Sequence, residues 1–194
     1  MTKKSAEKII IGIAGNIGAG KGTVREYIQR KYQAKTIAYS DILKDILQRL
    51  HLAINRQNLA NLANCLRSTF GENILSAVLE QDIQQQKGEI IVFEGIRKKA
   101  ELDYFKKKSD NFFLLFVDTP LEVAYQRLLK RQEKVDDQTK TLAEFKKDYQ
   151  HSADRDVPKL KQWADFVIDN SRGLKQTFQQ IDEIMAIILQ SSKA

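Results

Sequence analysis

The chain has 194 residues, 42% hydrophobic and 29% charged, and its 32 Lys and Arg against 25 Asp and Glu give a net charge of +7. That length suits a single domain over residues 1–194 with a full hydrophobic core, and the apolar share excludes a disordered chain. No run approaches the roughly 18 apolar residues of a membrane span, the lone Cys65 excludes an internal disulfide or a Cys-rich zinc site, and the distant His51 and His151 offer neither a His-based metal cluster nor a Ser-His-Asp triad. The polar start MTKKSAEK does not read as a signal peptide, so a soluble cytoplasmic protein with no membrane partner is expected. The positive charge suits any polyanion, nucleotide or nucleic acid alike. Its densest cluster, Lys106 to Lys108, reads first as a solvated helix end.

Short apolar runs alternate with amphipathic segments along the chain, the pattern of an α/β fold with a parallel sheet covered by helices. Strands are predicted at 9–14, 36–39, 90–93, 112–117 and 166–168, mostly as continuous apolar runs buried on both faces. Helical spacing recurs at Val24, Tyr27 and Ile28, then at Ile42, Leu43, Ile46, Leu47 and Leu50. It continues through Leu59, Leu62, Ala63, Leu66 and Phe70, and through Ile74, Leu75, Val78 and Leu79. Two helical segments between about residues 56 and 86 exceed what a simple crossover needs and predict a small subdomain. Pro120 opens another helix at a position where its missing N–H costs nothing. The polar stretch 132–140 reads as mobile. Gly173 precedes a last helix with the stripe Leu174, Phe178, Ile181, Ile184, Met185 and Ile188, and Trp163 and Cys65 read as packing residues.

GNIGAGKGT, residues 15–23, lies between the first strand and the first helix and carries the strongest signal. Gly15, Gly20 and Lys21 fit the phosphate-binding loop pattern of glycine, four residues, glycine and lysine. Glycines let backbone N–H groups of Gly15, Asn16, Gly18, Ala19, Gly20 and Gly22 turn inward around a phosphate. The helix that follows offers its positive end to the same anion, and Lys21 reaches the β- and γ-phosphates. Gly22 stands where many such loops carry the hydroxyl that binds Mg²⁺, and Thr23 comes one place later. GKGT in this form resembles the loop of adenylate kinases and related nucleoside monophosphate kinases. That resemblance implies a metal held largely through water and phosphate, with Thr23 on a phosphate rather than directly on Mg²⁺.

The resemblance extends along the chain. YSDILK, residues 39–44, is similar to the family's entry into the acceptor-binding helix, which implies acceptor contacts at Ser40 and Lys44. Read locally, Ser40 or Asp41 is a helix N-cap and Lys44 a solvent-facing charge. FEGIR, residues 93–97, is similar to the Asp-Gly-Phe-Pro-Arg signature of adenylate kinases without its proline. Glu94 would then orient waters on Mg²⁺ and Arg97 would grip the acceptor phosphate. A carboxylate and an arginine at the carboxyl end of a parallel strand face the crevice where ligands bind, although an exposed turn has the same composition. FEGIR followed by KKAELDYF also resembles a group of archaeal adenylate-kinase-like proteins.

Arg127 and Arg131, one turn apart, match the family's arginine pair at the base of a lid, or else form a basic stripe. Arg155 is a further lid candidate, and Arg67 could read the acceptor or lie at the surface. ADFVIDN, residues 164–170, and the Ser171-Arg172-Gly173 that follows resemble the last strand and loop of dephospho-coenzyme A kinases. This implies that Asn170 to Gly173 lie beside the adenine of ATP, although the HP-containing segment of those enzymes is missing.

The expectation is a three-layer P-loop NTPase fold with a five-stranded parallel sheet, an acceptor subdomain at about 41–86 and a short lid at about 127–155. Its activity would be transfer of the γ-phosphate of ATP, with Mg²⁺, to a nucleoside or deoxynucleoside monophosphate. Lys21, Arg127 and Arg131 would neutralise charge and Glu94 would position the metal. One alternative is transfer to a hydroxyl, as in dephospho-coenzyme A, with Asp41 as general base. Another is an ATP-hydrolysing switch acting with RNA or protein; nucleic acid ranks behind a small nucleotide as partner, and no motif speaks to oligomeric state.

Overall fold

The computed structural model describes residues 8–130, 141–149 and 155–191. Its strands are β1 (Ile9–Gly15), β2 (Lys35–Ala38), β3 (Ile90–Glu94), β4 (Phe112–Asp118) and β5 (Phe166–Asp169). They form one parallel sheet in the order β2-β3-β1-β4-β5. β1 lies in the middle and is buried along its whole length, as its unbroken apolar run requires. The edge strands β2 and β5 are short and more exposed.

The helices are α1 (Lys21–Tyr32), α2 (Tyr39–Arg49), α3 (Arg56–Phe70), α4 (Ile74–Gln85), α5 (Lys99–Lys108), α6 (Leu121–Lys130), α7 (Leu142–Tyr149) and α8 (Leu174–Ser191), with a 3-10 helix at Val157–Trp163. Val24 and Ile28 of α1 and Ile181, Ile184, Met185 and Ile188 of α8 pack on one face of the sheet. Leu43, Leu75, Leu79, Leu102, Phe105 and Leu160 cover the other, which makes three layers. A third, smaller cluster of Ala124, Leu128 and Phe145 joins α6 to α7, with Ile17 packed against it. Among the described residues no helix is long and apolar enough to cross a membrane.

From β1 the chain runs outward to β2, returns to β3 beside β1, and then passes to β4 on the far side. The strand order reverses at β1, and such a reversal opens a crevice at the carboxyl ends of the strands. The phosphate loop, the first turn of α2, residues 95–97 and residues 170–173 follow the carboxyl ends of β1, β2, β3 and β5.

Several local expectations need correction. Tyr39 is not in the second strand; it is the first residue of α2, 5% exposed, with its hydroxyl 2.8 Å from Ser76 Oγ of α4. Burial pushes that hydroxyl well above its ordinary pKa, with the charge of Glu101 adding to the effect. Leu50, Phe70 and Leu174 fall on the predicted stripes but are 56%, 66% and 57% exposed, because each lies at the end of its helix. Cys65 is exposed on α3 instead of packed, since Leu59, Leu62, Ala63 and Leu66 occupy the inward face. Trp163 does pack at the core edge, under Lys99 Nζ at 5.2 Å from its ring centre. Residues 132–140 and Arg131 lie outside the described residues, as does His151.

Asp182 fastens α8 to α1. It accepts hydrogen bonds from Tyr27 and Tyr32 hydroxyls at 2.8–3.0 Å and from Lys31 Nζ at 2.7 Å, beside the stacked rings of Tyr27 and Phe178. Burial alone would raise the Asp182 pKa, but these hydrogen bonds outweigh it and hold the carboxyl below its usual range. Tyr32 is pushed up to about 12 by burial and by Asp182. Asp182→Asn should therefore lower stability at neutral pH by about 1 kcal/mol, the strength of a charged hydrogen bond discounted for partial exposure. A depressed carboxyl stabilises above its unfolded value of about 4, so the deficit should shrink as pH falls below that point. Urea unfolding of both proteins at neutral and acid pH measures it.

Candidate functional site

The phosphate loop leaves β1 at Gly15, and its backbone is set by positions where only glycine fits. Gly20 has φ 92°, and a Cβ there would stand 2.3 Å from Asn170 Nδ2. Gly20 is also the N-cap of α1, with no side chain capping the helix, so the first N–H groups of α1 face the loop without a side-chain oxygen in their way. This is the arrangement that accepts an anion. Lys21 Nζ donates to the carbonyls of Gly15 at 2.8 Å and Asn16 at 2.9 Å, folded back over the loop mouth.

Two side chains from below hold the loop at the Ala19 carbonyl. Thr119 Oγ1, just beyond β4, donates to it at 2.9 Å, and Asn170 Nδ2, just beyond β5, at 2.7 Å. Asn170 is 2% exposed, its N–H donates to Asp118 O at 2.8 Å, and its Oδ1 accepts from Thr177 Oγ1 at 2.8 Å. Its side chain thus braces the phosphate loop from beneath. Ser171 N closes a turn on Asp169 Oδ1 at 2.9 Å, and that bond with the Ser171 hydroxyl lowers the Asp169 pKa. Arg172 and Gly173 are exposed.

Arg127 of α6 bridges the two halves of this region. Its Nη2 donates to the Arg172 carbonyl at 3.2 Å. Its Nη1 is buried with no hydrogen-bond partner, 3.9 Å from where a Cβ on Gly20 would stand. A buried guanidinium N–H without an acceptor is unfavourable unless a ligand completes it. Its predicted companion Arg131 lies outside the described residues. Arg155 is exposed in the turn before the 3-10 helix, beside Asp156.

The other side of the crevice is built from the ends of β2 and β3. Asp41 is not an N-cap; that position is Ala38, and Asp41 sits at the third residue of α2. Its Oδ2 accepts from Ala38 N at 2.9 Å and its Oδ1 from Lys44 Nζ at 2.9 Å, so Lys44 is an ion-pair partner at this point. Ser40 is partly buried in the first turn of α2, and Thr23 likewise in the first turn of α1. Glu94, at the end of β3, pairs with Arg25 Nη1 of α1 at 2.5 Å, and both side chains are largely covered. Arg25 went unremarked in the sequence, although it lies one helical turn after Lys21 and so shares its face.

Arg97 is exposed, with its N–H donating to Glu101 Oε2 at 2.9 Å. Arg67 does not face the crevice as a reader of acceptor; its Nη2 pairs with Glu101 Oε1 at 2.7 Å, and its side chain is 13% exposed. Lys21 and Arg127 stand at the loop, while Glu94 lies at the end of β3 and Asp41 in the first turn of α2. Thr119, Arg25 and Glu101 are supports that carried no sequence signal beyond their neighbours.

A family profile described as AAA domain matches residues 11–149. A UPF0200 protein of Methanocaldococcus jannaschii is 27% identical over 190 residues, which is 93% of this chain and 91% of the relative. A shikimate kinase from Bacteroides thetaiotaomicron shares the fold with a TM-score of 0.59 at 15% identity, over 93% of this chain and 98% of that one. A gluconokinase from Sinorhizobium meliloti does so with a TM-score of 0.58 at 12% identity, over 96% and 98%.

The glycines of the loop should respond differently to a methyl group. Gly20→Ala should destabilise by about 1–3 kcal/mol through its left-handed backbone and the clash with Asn170, while Gly22→Ala, which meets nothing within 4 Å, should stabilise by about 0.5–1 kcal/mol. Urea unfolding without nucleotide reads both.

Proposed function

We propose that this chain, which belongs to the AAA domain family of P-loop NTPases, is a small-molecule kinase that moves the γ-phosphate of ATP to a nucleoside or deoxynucleoside monophosphate. The observation that carries the reading is Arg127 Nη1, a buried donor without a partner aimed at the phosphate loop. A loop that only binds nucleotide has no need of a second cation beside it. Phosphoryl transfer does, because charge spreads over the γ-phosphate oxygens in the transition state. Lys21 reaches the same oxygens once it leaves the Gly15 and Asn16 carbonyls, and Arg131 would add to them.

Mg²⁺ fits the residues at hand as an ion brought in on the phosphates. Among the described residues no three His, Cys, Asp or Glu side chains gather to hold a metal by themselves. Glu94 would reach it through water, Thr23 would lie on a phosphate, and Arg25 keeps the Glu94 carboxylate in place. When bound, Mg²⁺ neutralises phosphate charge. The loop 170–173 would line the base through its backbone, with Arg172 and Gly173 at the surface. On the acceptor side, Lys44, Ser40 and Arg97 would meet the monophosphate, while Arg67 acts from behind.

A phosphate acceptor needs no general base, which suits an Asp41 whose two oxygens already accept hydrogen bonds. The second reading, transfer to a hydroxyl, draws on that same carboxylate standing half-exposed at the crevice. It also draws on fold neighbours named for shikimate and gluconate, neither of them a nucleotide.

Phosphotransfer from ATP should be measured across ribo- and deoxynucleoside monophosphates and dephospho-coenzyme A, with Lys21→Met as blank. Transfer to a monophosphate, absent in the blank, is expected. Asp41→Asn keeps the hydrogen bond from Ala38 N yet cannot take up a proton, so turnover should stay within about tenfold of wild type, whereas loss of a general base costs roughly 10²–10⁴-fold. Transfer to no small acceptor, with ATP still bound, rejects the kinase reading in favour of a switch acting on RNA or protein.

A further inference from the structure

We propose that Glu101 is a positioning residue for the acceptor side of the crevice and that Arg67 is its buried counter-charge, which ties α3 to the segment carrying Arg97. This rests on the reading that Arg97 faces the acceptor. Glu101, at the start of α5, is 1% exposed and all of its visible bonding serves this junction. Oε2 accepts from the N–H groups of Arg97 at 2.9 Å and Lys98 at 3.3 Å, and Oε1 accepts from Arg67 Nη2 at 2.7 Å.

A glutamate at the third position of a helix commonly reaches back to the N-cap N–H from solvent and needs no partner of opposite charge. Here the carboxylate is out of water and draws its cation from a helix 34 residues earlier. Burying such a pair adds little net stability, because desolvation offsets the attraction. Arg67 Nε, buried without a hydrogen-bond partner, adds to that cost. What the pair supplies is geometry. Residues 95–98 are held at three points: Gly95 against the Tyr39 ring, Ile96 at 2% exposure in the core, and the Arg97 and Lys98 N–H groups on Glu101. The Arg97 side chain is left exposed between these anchors. Displacement of α3 therefore pulls on the backbone of Arg97 through one carboxylate.

The test uses the full chain, with the nucleoside monophosphate it turns over best as probe. The double variant Arg67→Met with Glu101→Gln removes both charges, keeps an acceptor for the Arg97 N–H, and should unfold near the wild-type temperature. Its KM for the monophosphate should rise roughly ten- to a hundredfold, the scale of a small misplacement of a binding group, with KM for ATP unchanged. Near-wild-type stability together with an unchanged monophosphate KM overturns the proposal. Should the double variant fold poorly, Arg67→Lys retains the charge without the planar fork and should shift the same KM in the same direction.

Amide hydrogen exchange decides the matter without any acceptor. Arg97 and Lys98 should exchange faster in Arg67→Lys while the β1 and β4 amides keep their protection, and equal rates in both proteins overturn the proposal. A wild type that phosphorylates no monophosphate but shows this exchange pattern rejects the assigned substrate and leaves the positioning link standing.

Discussion

The carbonyl of Ala19 is the point on which the site depends. Two side chains, Thr119 from beyond β4 and Asn170 from beyond β5, donate to it from beneath. With that oxygen held down, the intervening backbone has to turn, and Gly20 takes the left-handed conformation that starts α1 with its first N–H groups toward the crevice. The constraint is shared widely. Asn170 is itself held by Thr177 of α8 and by Asp118 of β4, so the shape of the loop is set by strands from the far half of the sheet. A phosphate-binding nest held by the protein's own side chains favours electrostatic stabilisation without rearrangement.

Around that fixed loop, cations and carboxylates are paired so as to hold one another in place. Arg25 holds Glu94, Lys44 holds Asp41 and Arg67 holds Glu101. The first and third pairs each join two elements, α1 to β3 and α3 to α5, while Lys44 and Asp41 lie one turn apart on α2. Arg127 differs in pairing with no carboxylate among the described residues: Nη2 donates to the Arg172 carbonyl, and Nη1 is buried without an acceptor beside the loop. Residues 170–173 are thus linked to the phosphate loop by two side chains, Asn170 and Arg127.

Much of this was legible in the sequence because backbone geometry leaves strong traces. Residues 15–23 announce their loop through glycine spacing, and the unbroken apolar runs of β1 and β4 announce central parallel strands. The ends of elements were harder to read. Tyr39 has a strand-forming side chain and follows an apolar run, yet it opens α2, because its ring has a berth against Gly95 and its hydroxyl a partner in Ser76. Asn170 reads from the sequence as part of the loop after β5, but its inward role depends on Ala19, 151 residues away, and no local pattern encodes that separation. Arg67 and Glu101 are the same case: each alone looks like a surface charge on a helix, and only the fold, across 34 residues, makes them a pair.

On the proposed function, this loop and Arg127 together hold the phosphate that is transferred. A crystal structure with Mg²⁺ and a non-hydrolysable ATP analogue tests it most directly. The expected result has the β- and γ-phosphates within the loop, Lys21 Nζ moved from the Gly15 and Asn16 carbonyls onto them, and Arg127 Nη1 within hydrogen-bond distance of the γ-phosphate. Nucleotide bound elsewhere, or bound in the loop with Arg127 turned away and Lys21 still on those carbonyls, would contradict it.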